Sequence, residues 1–488
     1  AEIGFTQIST SHATSPLIKL VSRGDTTVVD AYLTPILRRY VNQVADELDV
    51  DNGACERLMF MQSNGGLTDA RLFQGKDAIL SGPAGGVVGM VRTASLAGHE
   101  RLIGFDMGGT STDVCHYAGE YERSFETEVA GVRMRAPMMH IHTVAAGGGS
   151  ILFYRGGRYQ VGPDSAGANP GPACYRRGGP LTVTDCNVML GKLNPEHFPH
   201  VFGPQANEPL DADTVRQQFE ALAADIARES GEPLRSPEET AEGFLRIAVE
   251  NMANAIKKIS VQRGYDVTRY TLNCFGGAGG QHACLVADAL GMEKVFLHPF
   301  AGVLSAYGMG LADIRALREK QVERPVADVS AAAATIDELA AEARAEILSQ
   351  GVQENQIRLE QRAHLRYAGS HQPIEVDFGT EAQMRERFDA AHKARYGFVA
   401  PSRELTIEMV AVEAIGETGK ITDQRNALSQ TPATPAAKVQ MRSDAGWHEA
   451  SLYVREDMLP GQQVVGPAVI TEKTGTNIVE IGWRASVN

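Results

Sequence analysis

Five dense glycine clusters constrain the fold of this 488-residue chain more than any other feature. They are NGG at 64–66, SGPAGG at 81–86, MGGTST at 107–112, AAGGGS at 145–150 and FGGAGG at 275–280. Glycine has no Cβ atom, so it allows tight turns and lets the backbone approach a ligand closely. Five such clusters indicate a set of ligand-facing loops, although one or two of them are expected to be ordinary turns.

The segments between these clusters alternate between short apolar runs and amphipathic helices, a pattern typical of α/β proteins. Ser236 and Glu239 form a capping box with Pro237 at the first helical position, which predicts a helix that ends near Gly264. Periodicity predicts further helices over 33–48 and 333–348, a buried strand over 58–61, and strands of a strand-rich C-terminal region over 357–367 and 373–378.

Charge and cysteine content exclude several classes of protein. The chain has 46 basic and 60 acidic residues, a net charge of −14, which argues against a nucleic-acid surface and against docking on anionic membranes. Its six cysteines form no CxxC pair, so neither a disulfide framework nor a structural zinc is indicated and a cytoplasmic protein is expected. The sequence contains no run of about 18 apolar residues, so it predicts no membrane-spanning helix.

The segment from Phe105 to Tyr117 predicts a β-hairpin with chemistry at its tip. An apolar strand ends at Asp106, and the turn that follows contains two glycines, Gly108 and Gly109. Glycine backbone N–H groups can turn inward to hold a phosphate, and three hydroxyl donors follow at Thr110, Ser111 and Thr112. Asp106 is a candidate to hold Mg²⁺ through water, and Asp113 is a second candidate for metal or water positioning. A plain hairpin turn is the alternative interpretation.

Other nucleotide motifs are absent from the sequence. No GxxxxGK[ST] occurs, and His282 stands where the third glycine of a dinucleotide fingerprint belongs. A flat glycine surface at a helix N-terminus can instead lie against a purine and its phosphates. The residues that predict such a surface, ahead of a helix over 282–290, are Gly276, Gly277, Ala278 and Gly279.

Two histidines form a weaker candidate site. His140 and His142 are spaced to lie on one face of a strand, where Asp164 or Asp185 would complete a metal or substrate site. A structural histidine pair is the favoured interpretation, and an N-terminal helix cap is an equal alternative for Asp185.

Several motifs together resemble the hydantoinase A/5-oxoprolinase family. They are SGPAGGVVG, DMGGTSTD, TVAAGGGS, FGGAGGQHA and AGVLSAYGMGLAD, and the resemblance extends over nearly the whole chain. It is strongest to the amino-terminal, hydantoinase A-like half of the ATP-dependent 5-oxoprolinases. The resemblance implies an α/β fold of the actin/sugar-kinase/Hsp70 type, with two ribonuclease-H-like lobes that bind ATP and a strand-rich C-terminal domain.

The resemblance also implies roles for particular segments. Residues 106–112 match the phosphate hairpin of the second lobe, and 276–279 match the adenosine-binding segment. Helices near 81–86 and 302–310 match two small-residue segments that cross between the lobes. The expected regions are a remainder of the first lobe with its interlobe helix, the second lobe, and an α+β domain, over 1–95, 96–325 and 326–488. Only one acid-x-Gly-Gly-Thr hairpin occurs, so the start of the first lobe is expected to be missing.

The function implied by the resemblance is ATP- and Mg²⁺-dependent hydrolysis of 5-oxo-L-proline to L-glutamate. Phosphoryl transfer to the lactam oxygen would activate this small cyclic amide, with Asp106 and Asp113 as catalytic residues. A hydantoinase B-like subunit or domain is the expected partner, in an oligomer. The alternatives are an ATP-dependent hydantoinase, a ketone carboxylase subunit, or a non-catalytic actin-like scaffold that binds nucleotide.

Overall fold

A computed structural model describes residues 4–15, 20–50, 52–129, 131–370, 372–418 and 427–488. Residues 16–19, which the resemblance assigns to the first lobe, lie outside the described part. The chain divides into two compact units, each assembled from three segments. The first unit comprises Ala1–Gly89, Glu122–His140 and Gly308–Ile421, and the second comprises Met90–Tyr121, Ile141–Tyr307 and Thr422–Asn488. The division at 95 and 325 stays a prediction.

The first unit is built on a six-stranded sheet. In spatial order its strands are β1 (Met59–Met61), β2 (Leu67–Asp69), β14 (Ile314–Pro325), β17 (Leu405–Gly416), β15 (Ile357–Tyr367) and β16 (Ile374–Asp377). The strands predicted over 58–61, 357–367 and 373–378 are therefore confirmed within one residue at each end. Two smaller ribbons pair β5 (Arg123–Ser124) with β8 (Met138–Met139), and β6 (Thr127–Val129) with β7 (Val132–Met134).

Four helices lie wholly within this first unit. They are α1 (Ser11–Thr14), α2 (Leu20–Glu47), α9 (Val329–Ser349) and α10 (Glu381–Tyr396). Helix α9 confirms the helix predicted over 333–348, and its apolar side packs on the sheet through Ala343 and Ile347. Helix α2 contains residues 33–47 of the helix predicted over 33–48, but it buries polar side chains, among them Thr26, Asp30 and Thr34. Two of its apolar residues, Ile36 and Tyr40, are 53% and 58% exposed.

Small residues let two further helices approach closely. Helix α3 (Ser81–Leu96) contains four glycines and helix α8 (Leu304–Leu311) contains two. A Cβ atom on Gly308 would overlap the backbone of Gly85 and Gly89. The two small-residue segments matched in the sequence are therefore helical, and they approach each other closely within the first unit.

The second unit is built on a five-stranded sheet. In spatial order its strands are β13 (Val295–Phe296), β12 (Thr271–Phe275), β3 (Leu102–Met107), β4 (Thr112–Tyr117) and β9 (Ile141–Val144). β3 and β12 are parallel, whereas β3, β4 and β9 form an antiparallel meander. A separate ribbon pairs β10 (Ser150–Arg155) with β11 (Arg158–Ser165).

Four helices pack with this sheet around one core. They are α4 (Val183–Met189), α5 (Ala212–Ser230), α6 (Pro237–Ile259) and α7 (Ala283–Leu290). The predicted capping box is confirmed, because the Ser236 hydroxyl accepts from the Glu239 N–H and the Glu239 carboxylate accepts from the Ser236 N–H. The core that these elements share includes Phe105, Phe219 and Phe244, all fully buried.

The C-terminal segment adds further strands to the second unit, as expected for a strand-rich region. A four-stranded sheet contains β18 (Ala437–Ser443), β19 (Gly446–Val454), β21 (Ala468–Glu472) and β22 (Gly475–Val479). β20 (Gln463–Val465) pairs with β23 (Arg484–Ser486). A buried ion pair between Lys192 and Glu480 connects this segment to the loop after α4. In the part of the chain that the structure describes, no helix combines the length and hydropathy needed to cross a membrane.

The buried ion pair gives a test of how the C-terminal segment is held. The side chains of Lys192 and Glu480 are 4% and 5% exposed, so Lys192→Met would leave a buried carboxylate without its cation. We expect a loss of about 3–5 kcal/mol in the free energy of unfolding. Lys438 pairs with Glu449 on the surface, and Lys438→Met is expected to cost less than about 1 kcal/mol. Urea denaturation of both variants measures the difference, and equal losses would contradict the structural role of Lys192.

Candidate functional site

Two carboxylates face each other at one end of the five-stranded sheet. The β3–β4 register pairs Asp106 directly with Asp113, and cross-strand partners point to the same side of a sheet. Phe105 and Met107, which flank Asp106 in β3, are both fully buried. Because side chains alternate along a strand, Asp106 points away from that core, on the same side as Asp113.

Ionisation of the two carboxylates is unfavourable in the absence of a cation. Burial raises the pKa of Asp106 to about 6, and the nearby Asp113 charge adds to the increase, while a hydrogen bond with Ser305 opposes it. Burial also raises the pKa of Asp113, opposed by the Thr143 hydroxyl, which donates to its carboxylate over 2.6 Å. Neither aspartate forms an ion pair with a described residue. A pair of this kind fits a hydrated divalent cation.

The turn between these aspartates is exposed and rich in donors. The Gly108 N–H donates to the Ser111 carbonyl over 3.0 Å, which closes the turn, and Gly109 and Thr110 lie at the surface. Thr112 differs from the sequence prediction. Its side chain is fully buried and its hydroxyl already donates to the Ala146 carbonyl, so it anchors the hairpin to the following segment instead of facing a ligand.

A second glycine loop supports this turn, and no site residue was predicted in it. The N–H groups of Gly148 and Gly149 donate to the carbonyls of Gly108 and Gly109, over 3.1 and 2.6 Å. A Cβ atom on Gly147 would lie 2.6 Å from the backbone of Thr110, so only glycine fits there. The AAGGGS cluster was the sequence signal for this contact. Its composition does not indicate that the cluster packs against the turn between β3 and β4.

The predicted purine-binding segment adjoins the same end of the sheet. β12 lies beside β3 and pairs Phe275 with Asp106. Gly276 has a positive φ of 81° and contacts Asp106 so closely that a Cβ atom would overlap its carboxylate. The Ala278 N–H donates to the Met107 carbonyl over 3.0 Å. The structure therefore brings together the hairpin and the glycine segment that the sequence predicted separately.

Exposure distinguishes the members of that segment. Gly277 is exposed, and Gly276 and Ala278 are half-buried, so these three can reach a ligand. Gly279 is buried, and a Cβ atom there would lie 2.8 Å from the Cys274 sulfur, so its small size serves packing. Burial lowers the pKa of His282 to about 3, which keeps this neighbouring ring neutral.

The two histidines have separate surroundings. His140 belongs to the first unit, where its Nδ1 lies 3.7 Å from a Glu122 carboxylate oxygen. His142 belongs to the second unit, and burial lowers its pKa. Asp185 is occupied as the third residue of α4, where it accepts from the N–H groups of Thr182 and Cys174. Among the described residues no three potential ligands form a metal-binding group, and a metal at the histidines stays a prediction.

Comparison with known proteins identifies the family. Residues 23–318 match the Hydantoinase/oxoprolinase family, and residues 319–488 match the Hydantoinase/oxoprolinase C-terminal domain. The chain belongs to the hydantoinase/oxoprolinase family. The resemblance seen in the sequence motifs is therefore confirmed.

Individual relatives agree with this assignment. The chain is 41% identical to 5-oxoprolinase 1 of Arabidopsis thaliana over 502 residues, which cover all of this chain and 39% of that protein. It is 30% identical to the crystal structure of ATP-dependent caprolactamase from Pseudomonas jessenii, with a TM-score of 0.85 over 98% of this chain and 70% of that one. The chain thus spans about two fifths of the length of the curated relative.

A third protein bears on the fold alone. The nucleotide-free acetone carboxylase structure is 24% identical to the chain and has a TM-score of 0.75 over 98% of this chain and 69% of that one. The actin-like ATPase fold expected from the sequence is confirmed by these two structural matches.

The raised pKa of Asp106 has a consequence for stability. Its folded-state pKa of about 6 lies above the ordinary aspartate value, so the ionised carboxyl destabilises the fold above pH 6. Asp106→Asn is therefore expected to stabilise the protein by roughly 2–3 kcal/mol at pH 7.5. This gain should shrink as the pH falls from 6 to 4, where the native carboxyl becomes protonated.

Denaturant titrations at several pH values, without divalent cations, measure this effect. Asp225→Asn is the matched control, because Asp225 lies on the surface of α5 with 66% of its side chain exposed. A stability gain of the Asp106 variant that does not depend on pH would contradict the electrostatic explanation.

Proposed function

We propose that this chain is the ATP-using part of an enzyme that hydrolyses 5-oxo-L-proline to L-glutamate. The observation that carries the proposal is the facing Asp106–Asp113 pair, placed between an exposed glycine turn and the Gly276–Ala278 segment. Similarity over the whole of this chain to a protein named 5-oxoprolinase 1 supports the choice of substrate. The activity is proposed for the complete protein, because the chain spans only part of that relative's length.

The chemistry explains why ATP is consumed. A lactam is stabilised by resonance and water is a poor nucleophile, so direct ring opening is slow. Transfer of the γ-phosphoryl group to the lactam oxygen converts that oxygen into part of a leaving group. Water then adds to the ring carbon, and the carbon–nitrogen bond breaks to leave an acyl phosphate on the opened chain. A second water hydrolyses this acyl phosphate and releases phosphate. One ATP and two waters are consumed for each glutamate, ADP and phosphate formed.

The turn residues are suited to holding the transferring phosphoryl group. Backbone N–H groups at Gly109 and Thr110, with the Thr110 and Ser111 hydroxyls, lie at the exposed tip of the hairpin. Phosphoryl transfer depends mainly on positioning and on stabilising negative charge, which such donors supply. The Gly276–Ala278 surface is proposed to hold the adenosine.

The aspartates are proposed to hold Mg²⁺ through its water shell. Mg²⁺ keeps several waters and binds few protein carboxylates, which agrees with two facing carboxylates and no third ligand nearby in the described chain. When bound, the ion neutralises charge on the phosphates. Asp106 lies next to Gly276, so we assign it the metal role, and Asp113 positions either metal-bound or attacking water.

We further propose that a hydantoinase B-like subunit or domain completes the enzyme and hydrolyses the activated intermediate. Support comes from a relative named caprolactamase subunit alpha, 30% identical over 99% of this chain, since that name indicates an assembly. An oligomer and a cytoplasmic location complete the proposal. The six cysteines, all free, are compatible with a reducing compartment.

Substrate-dependent ADP release by the full-length gene product tests the reaction. We expect stimulation by 5-oxo-L-proline that exceeds stimulation by hydantoin, caprolactam, or acetone with bicarbonate. Asp106→Ala should lower turnover at least about 100-fold, because it removes a charge that acts on the transferring group. Asp225→Asn, the surface control on α5, should retain full activity.

Other outcomes distinguish the alternatives. Stimulation by hydantoin, or by acetone with bicarbonate, in place of 5-oxo-L-proline would favour an ATP-dependent hydantoinase or a ketone carboxylase. Nucleotide binding without turnover under any of these substrates would favour the actin-like scaffold. An Asp106→Ala enzyme with unchanged rate and unchanged Mg·ATP affinity would refute the assigned role of this residue.

A further inference from the structure

The turn between β21 and β22 lies against the glycine segment of the candidate site. Its two residues, Lys473 and Thr474, belong to the part of the chain that matches the C-terminal family domain. The Thr474 carbonyl oxygen is 3.7 Å from the point where a Cβ atom on Gly277 would lie. Likewise, a Cβ atom on Gly475 would lie 3.9 Å from the Gly277 carbonyl oxygen.

Contacts along the hairpin fix the position of this turn. A Cβ atom on Gly302 would lie 2.6 Å from the Cβ, O and Oγ1 atoms of Thr474, so the absence of a side chain there admits the turn. Further along β22, a Cβ atom on Gly280 would lie 2.8 Å from the Thr476 carbonyl. The Cys284 thiol donates to the Ile478 carbonyl over 3.3 Å. The turn is thus held by elements that adjoin the glycine segment.

The Thr474 carbonyl has hydrogen-bonding capacity to spare. It lies outside both strands and accepts no hydrogen bond from a described residue. Thr474 and Gly277 are both exposed residues, so the turn lies at the open edge of the glycine surface. A carbonyl oxygen in this position accepts a hydrogen bond and repels another acceptor.

We propose that this turn is the edge of the purine site, and that the Thr474 carbonyl selects adenine by accepting a hydrogen bond from its 6-amino group. The inference rests on the proposed nucleotide-binding function and adds the base specificity of the site. A 6-oxo purine would place an acceptor against this carbonyl. The 6-oxo purine also loses the hydrogen bond that adenine makes here, so we expect it to bind roughly 10-fold more weakly.

Isothermal titration of the full-length protein with Mg·ATP and Mg·ITP tests the proposal, because the two bases differ at position 6. We expect ATP to bind at least about 10-fold more tightly than ITP. Gly302→Ala should reduce this ratio towards one, since the added methyl group displaces Thr474. Gly310→Ala is the matched control on α8, because nothing lies within 4 Å of its Cβ position, and it should keep the native ratio.

A second variant changes the direction of the Thr474 carbonyl without adding a larger side chain. Lys473 and Thr474 both have negative φ angles. An Asn-Gly turn of the same length favours positive φ at both residues. The double change Lys473→Asn with Thr474→Gly should therefore preserve the hairpin and the melting temperature but lose discrimination between ATP and ITP.

The outcomes separate the two proposals. If the native protein binds neither nucleotide, the proposed function fails and the inference fails with it. If it binds ATP and ITP equally, the function stands and the inference is overturned. The inference is also overturned if native discrimination persists in both folded variants of the turn.

Discussion

The opposition of Asp106 and Asp113 across the β3–β4 register is the constraint on which the site depends. A strand has a two-residue period, so a slip of one residue would turn either carboxylate into the core beside Phe105. Burying Phe105 and Met107 fixes the register, because the free energy of their burial would be lost on slipping. Hydrophobic packing therefore holds two like charges together, and the pKa of Asp106 is raised, first by burial and then by the Asp113 charge.

Main-chain contacts between glycines connect the rest of the site to this pair. Gly147, Gly148 and Gly149 support the turn from one side, and Gly276 packs against Asp106 from the other. A Cβ atom on Gly147, Gly149 or Gly276 would overlap these partners, so these glycines are needed for close approach more than for flexibility. The loops are consequently held by backbone hydrogen bonds, which is the kind of rigid support that a phosphate-binding turn requires.

Local patterns in the sequence predicted much of this structure. The capping box at Ser236, the strand over 357–367 and the helix over 333–348 follow from short-range periodicity and end signals, which depend little on the rest of the fold. The hairpin was predictable for the same reason. The buried side of α2 was not, because its polar residues are satisfied by distant partners, as when the Thr34 hydroxyl accepts from the Gly75 N–H.

The remaining part of the site was beyond sequence reasoning because it depends on contacts between residues far apart in the chain. Thr474 lies almost 200 residues after Gly277 and on the other side of the family-domain boundary at 318. Nothing in the sequence Lys-Thr-Gly distinguishes this turn from others on the surface. Gly302 is a sequence signal of this contact, because its missing Cβ atom leaves room for Thr474. A single glycine, however, does not indicate which distant residue packs against it. The C-terminal segment thus contributes to a site whose motifs all lie earlier in the chain, and a division by sequence domains alone would separate the two.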